Sequence, residues 1–227
     1  MLTDADIKKT KYMLGLRATY FEEGMRGLDL AGADISNADL HGMQIIDVNF
    51  DKAILDNVNL YDSQLVNCSF KGASLRRAIV RRSDILDCKF QDTVLSQTDM
   101  SESTLFRLSL NDCDMHLTKL INARVIDCDF NNCNMLSSNL SGGCVTGVNF
   151  DTCDMQHINA EKSFMSKVSI SNVKMNHTSL NGAVIYDVKF QNVNTDNMLL
   201  VETKMNMDPN IFNRARTVDL KDLTSKS

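Results

Sequence analysis

From Leu30 to Met205, nearly every fifth residue of this chain is apolar. The column reads Leu30, Ile35, Leu40, Ile45, Phe50, Leu55, Leu60, Leu65, Phe70, Leu75, and it runs on to Ile185, Phe190, Leu200 and Met205. Of its 36 positions, 34 are Leu, Ile, Val, Met or Phe; Ala160 and Thr195 depart. A second column lies two residues earlier, from Leu28 to Thr203, and holds Ala, Val, Cys, Ser, Thr or Gly at 31 of 36 positions. Between Leu28 and Met205 there are 22 Asp/Glu and 15 Lys/Arg, and none falls in either column. An unpaired buried charge is very costly, so both columns are expected to face a core. A period of five fits neither a helix at 3.6 nor a strand at 2. It fits a chain that turns a corner every five residues.

A longer period is superimposed on this one. Phe50, Phe70, Phe90, Phe130, Phe150 and Phe190 fall at multiples of twenty from one another, with Leu110 and Ile170 in the gaps. Met115, Met135, Met155 and Met175 do the same. So do the pairs Ile46-Asp47, Leu86-Asp87, Ile126-Asp127 and Tyr186-Asp187. Twenty residues per turn predicts that the Phe set and the Met set form two neighbouring stacks in the core.

The local pattern is a small residue, then Asp or Asn, then a large apolar residue, then two free positions. It stands in Ala33-Asp34-Ile35, Ala38-Asp39-Leu40, Val58-Asn59-Leu60, Ser83-Asp84-Ile85, Thr98-Asp99-Met100 and Cys113-Asp114-Met115. This resembles the pentapeptide-repeat family, over about 180 residues without a break in phase. The resemblance implies an all-β fold: a right-handed quadrilateral parallel β-helix, four pentapeptides to a coil and about nine coils over residues 28–207. At the ~4.8 Å spacing of hydrogen-bonded strands such a rod is about 43 Å long. Residues 1–27 read as an N-terminal capping helix, with Ile7, Leu14, Ala18, Phe21 and Met25 on one stripe. Residues 208–227 read as a short C-terminal cap and tail, with Ile211 and Phe212 laid over the last coil.

The remaining features bound the function. A net charge of −5 disfavours nonspecific nucleic-acid binding, which needs cationic surface. No apolar stretch approaches the ~20 residues of a membrane span, and the N-terminus lacks signal-peptide order. Six of the seven cysteines, Cys68, Cys88, Cys113, Cys128, Cys133 and Cys153, occupy the small inward column, and only Cys144 does not. Buried free thiols used as small hydrophobes account for them, which favours a reducing, cytoplasmic compartment; the sequence leaves export as a bacterial effector open. His157 and His177 are twenty apart and should lie about 5 Å from each other on an outer face, a mixed ladder rather than a metal site.

No phosphate-binding, metalloprotease or nucleophile motif appears, so no catalytic, cofactor or metal site is expected. The leading expectation is a non-catalytic rod that binds another protein, as a monomer or an end-to-end homodimer through Met198, Met205, Ile211 and Phe212. Candidate partner contacts are Asp47, Asp87 and Asp127 in one outer column and the cluster Arg76, Arg77, Arg81 and Arg82, which should flank one corner. The family resemblance implies an alternative, since some members imitate B-form DNA and bind DNA gyrase, inhibiting it or shielding it from quinolones. The −7 balance of the repeat region permits that reading; an acidic column broken by Asn67, Arg107, Gly147 and Lys167 counts against it.

Overall fold

The computed structural model describes residues 24–206 and Phe212. Its backbone repeats one decision. Residues 27, 32, 37 and every fifth residue thereafter to 202 take φ between 52° and 69°, the left-handed region. Seven of these 36 positions are Gly and 15 are Asn or Asp. Those are the residue types that enter this region at least cost. At most corners the left-handed residue is the third of a four-residue turn. The turn closes with an N–H to C=O bond three residues apart, as from Ala33 to Leu30 at 3.0 Å and from Ala53 to Phe50 at 2.9 Å. The two outward slots that follow each apolar residue are therefore the corner.

Between corners the chain runs straight for three residues and pairs with the next coil in parallel, always twenty residues on. Ten strands, from Met25–Arg26 and Gln44–Ile46 through Gln64–Val66, Asp84–Leu86, Thr104–Phe106 and Arg124–Ile126 to Lys204–Met205, form one sheet. The six strands from Lys89–Gln91 to Lys189–Gln191 form the adjoining sheet. The other two sides are held by single parallel bridges such as Ile54 to Ser74 and Asn59 to Ile79. Ten rungs on one side make nine turns, the four-sided parallel β-helix expected from the sequence.

Both inward columns are buried. Phe50, Phe70, Phe130 and Phe150 are among the largest fully buried side chains, and Phe90, Met115, Met135, Met155 and Met175 join them in one continuous core. The rings of Phe50, Phe70 and Phe90 stack at 5.0 and 4.8 Å, and those of Phe130 and Phe150 at 4.9 Å. The polar members of the small column have a purpose there. Nearly every hydroxyl or thiol donates to a carbonyl of the preceding coil, as Ser63 does to Leu40, Ser83 to Leu60, Thr98 to Leu75 and Cys113 to Phe90, while Ser163 donates to Ala160 within its own coil. Among the described residues no buried side-chain N or O lacks a partner.

At the N-terminal end the solenoid begins earlier than residue 28. Met25 is fully buried and already pairs with Ile45. Gly24 leads into it at φ 80°, where a Cβ would sit 2.3 Å from the Gln44 carbonyl oxygen, so only glycine fits. Met25 is thus a core rung rather than part of a helical stripe. The rest of the expected capping helix lies outside the described residues. So does the expected C-terminal segment apart from Phe212, whose ring meets Phe190 edge-on at 5.1 Å and is 4% exposed.

Substitutions at two positions test this architecture. Phe130 lies between Leu110 and Phe150 in register, so Phe130→Ala should cost about 3–5 kcal/mol in denaturant unfolding and Phe130→Leu much less. A change within about 0.5 kcal/mol for the alanine variant would be incompatible with a buried stack. Leu117 holds the left-handed corner at φ 58° while 47% exposed. Leu117→Asn relieves that backbone with little burial to lose and should stabilise by roughly 1 kcal/mol, read as a raised melting temperature.

Candidate interaction surface

A coil of twenty residues converts composition into columns. Any outward position repeats every twenty residues as a ladder, with rungs ~4.8 Å apart. On the six-stranded sheet both ladders are polar, Asp29-Asn49-Ser69-Lys89 being one run. Asn side chains link successive rungs there and elsewhere: Asn49 donates to Asp29 at 3.0 Å and Asn131 to the Asn111 oxygen at 3.0 Å.

The ten-stranded sheet differs. One of its outward ladders reads Ile46, Val66, Leu86, Phe106, Ile126, five apolar rungs in direct register and half-buried against one another. Its companion ladder begins Gln44, Gln64, Asp84, Thr104, Arg124 and turns apolar at Cys144, Phe164 and Val184. Tyr186 stands beside Val184, and these two and Phe164 are 56%, 39% and 42% exposed. No other outward ladder among the described residues is apolar on two successive rungs. The pairs Ile46-Asp47, Leu86-Asp87 and Ile126-Asp127 carry the signal in sequence. Read for their period they report the coil length; read for their side they mark an outward position that elsewhere is polar.

Asp47, Asp87 and Asp127 border this stripe at the corner, two rungs apart. They are not a uniform acidic edge. Asp47 accepts from the Asn67 amide at 2.6 Å. Asp87 takes both its bonds from Arg107, at 2.6 Å each, and that guanidinium holds the Asp87 carboxyl below the usual carboxylate range. The same guanidinium lies 4.3 Å over the Phe106 ring.

The arginine cluster does not flank one corner. Arg76 and Arg77 sit at one, Arg81 and Arg82 at the next, with the Ala78-Ile79-Val80 side between them, because each corner takes two residues and each side three. Three of the four are engaged: Arg77 donates to Gln97 at 3.1 Å, Arg81 to Glu102 at 2.6 Å and Arg82 to the Tyr61 hydroxyl at 2.9 Å. Arg76 and Arg77 border a depression of about 420 Å³ shared with Asp56, Asp114 and His116, so its charges are mixed.

His157 and His177 stack at 4.8 Å, 3° from parallel, as the twenty-residue spacing requires. Among the described residues no three His, Cys, Asp or Glu side chains group to hold a metal ion. All seven cysteines are free thiols, six of them buried. Burial pushes the Cys128 thiol up to about 11. The bond with Cys113, reinforced by burial, takes Cys133 to about 12. Of the expected end contacts, Ile211 lies outside the described residues. Phe212 is covered by its own chain, so it is not free to meet a second copy.

A model of pentapeptide repeats matches eight copies, over residues 44–82 and 113–151. These two stretches are pentapeptide repeats, and the same five-residue phase runs through the coils between and beyond them. Pentapeptide-repeat proteins are generally non-enzymatic structural or interaction modules. No curated protein matches the chain. Among solved structures, HetL, a pentapeptide-repeat protein involved in heterocyst differentiation regulation in the cyanobacterium Nostoc sp. strain PCC 7120, is 18% identical. That match covers 80% of this chain and 84% of HetL, at a TM-score of 0.35. Full-length QnrB1, a plasmid-mediated fluoroquinolone resistance protein, is 13% identical over 88% of this chain and 96% of its own, at 0.28. A pentapeptide-repeat protein of the Arabidopsis thaliana thylakoid lumen is 22% identical over 55% and 69%, at 0.24. These likenesses concern architecture and carry nothing about a partner. Among the described residues no helix is long and apolar enough to cross a membrane.

Thiol chemistry tests the burial pattern. A maleimide should label one cysteine quickly in the native protein, Cys144, and all seven in denaturant. A disulfide among Cys113, Cys133 and Cys153 in the purified protein would overturn the inward free-thiol ladder.

Proposed function

We propose that this chain is a non-catalytic protein-binding rod that meets its partner through the outer face of the ten-stranded sheet. The observation that carries the proposal is the five-rung apolar ladder from Ile46 to Ile126. Contiguous outward apolar surface on an otherwise polar rod costs solubility, and a partner that covers it recovers hydrophobic free energy. Among the described residues, no outward ladder beyond this sheet is apolar on two successive rungs. Asp47 and Asp127 on the bordering corner add charge selectivity rather than strength.

Imitation of DNA is the weaker reading on charge density. B-form DNA carries one charge per ~1.7 Å, so a duplex about 43 Å long carries about 25. The repeat region nets −7. Its acidic corner places Asp47, Asp87 and Asp127 only every second rung, and Arg107 already neutralises Asp87.

The test is a photocrosslinking phenylalanine analogue placed at Phe106 in cells, with Ser109 on the six-stranded sheet as control. Phe106 should yield a discrete adduct, identifiable by peptide mass spectrometry and lost on Leu86→Arg, and Ser109 none. Equal yields from both sites would refute the assignment of this face. Purified protein at micromolar concentration should leave gyrase supercoiling unchanged, with or without a quinolone. Inhibition abolished by neutralising Asp47, Asp87 and Asp127 together would put DNA imitation in its place.

A further inference from the structure

The partner can be narrowed by the spacing of the stripe. Its apolar rungs repeat at the strand spacing, ~4.8 Å. A helix laid along the rod advances about 5.4 Å per turn and falls about half a rung out of step over four rungs. A second stacked ladder stays in step along the whole face, and this chain carries one. We propose that the occupant is a second copy of this chain, packed sheet to sheet with the two rods antiparallel; the proposal rests on the ten-stranded face being the docking surface.

The direction follows from the two ladders of that face. The apolar ladder Ile46-Val66-Leu86-Phe106-Ile126 lies beside the polar ladder Gln44-Gln64-Asp84-Thr104-Arg124. A two-fold axis along the rods would lay the apolar ladder of one copy on the polar ladder of the other. An axis across the rods lays each ladder on its own kind and reverses the order of the rungs. Centred on Leu86, it sets Leu86 against itself, Val66 against the partner's Phe106 and Ile46 against the partner's Ile126. Five apolar rungs then meet five.

In the same arrangement Asp87 faces the partner's Asp87 and Asp47 faces the partner's Asp127, like charges that each Arg107 offsets from the neighbouring rung. Arg107 comes opposite the partner's Asn67, between the partner's Asp47 and the partner's Asp87. Each Asp87 is thereby flanked by a guanidinium from both copies. One face of a rod this slender is a footprint at the low end of specific interfaces, so the dimer is reversible at micromolar concentration rather than permanent.

The register makes a test that other occupants fail. In a Cys144→Ser background, Leu86→Cys should link to itself through a short bis-maleimide, since aligned sheets pack about 10 Å apart. Ile46→Cys and Ile126→Cys should each fail alone and link when mixed. Equilibrium sedimentation of the unmodified chain should show a monomer–dimer equilibrium at tens of micromolar. Leu86→Arg should abolish it with an unchanged circular dichroism spectrum. A chain that stays monomeric at hundreds of micromolar would overturn the proposal, as would Ile46→Cys linking to itself as well as the mixture does. If Phe106 still crosslinks a different protein while sedimentation shows only monomer, the second copy is wrong and the docking face stands.

Discussion

A left-handed residue at every fifth position is the condition on which the rest of this molecule depends. It turns the chain through a corner after each three-residue side, and without it neither the coil nor its parallel pairing could close. An ordinary residue there costs about 1–2 kcal/mol against right-handed backbone. The chain meets the requirement 36 times, with Gly, Asn or Asp at most positions and with Leu117 and Thr152 among the exceptions. A single such residue would not hold its conformation alone. Here each corner is clamped by hydrogen bonds to the next coil, as Asn57 N–H is to the Arg76 carbonyl at 2.8 Å, so the stack imposes the conformation that the side chain disfavours.

Parallel stacking then removes almost all freedom from the interior. A large apolar residue and a small one face inward on each side, and every small slot stands over a carbonyl of the preceding coil. Ser, Thr and Cys are interchangeable with Ala and Val there because each can donate to that carbonyl, as Thr118 does to Leu95 at 2.9 Å. This accounts for the six inward cysteines without metal or redox chemistry. Stability in such a rod is close to a sum over neighbouring coils. No coil is specialised by its core, so any specialisation has to be carried outside.

The outside is a set of ladders, and that is where function enters. Two residues twenty apart in sequence become neighbours, so a preference repeated along the chain becomes a stripe with the full length of the rod. Ile46 and Ile126 are eighty residues apart and belong to one surface. Arg107 shows the reverse effect: acting on Asp87 one rung away and on Phe106 beside it, one residue alters both the acidic border and the apolar stripe.

The sequence by itself determined the core and the coil. The unbroken five-residue phase, the absence of charge from both inward columns and the twenty-residue recurrence of Phe and Met specify which residues are buried and which of them stack. All of these are local or strictly periodic, so they survive in one dimension. Tertiary structure decided which outward slots share a side and which share a corner. Arg76 and Arg82 read as one cluster in sequence and fall on different corners, because where a coil turns depends on backbone dihedrals that composition only suggests. The apolar ladder was written in the pairs from Ile46-Asp47 to Ile126-Asp127. It became a surface only once the coils were stacked, because whether an apolar residue faces solvent depends on the side of the strand it occupies.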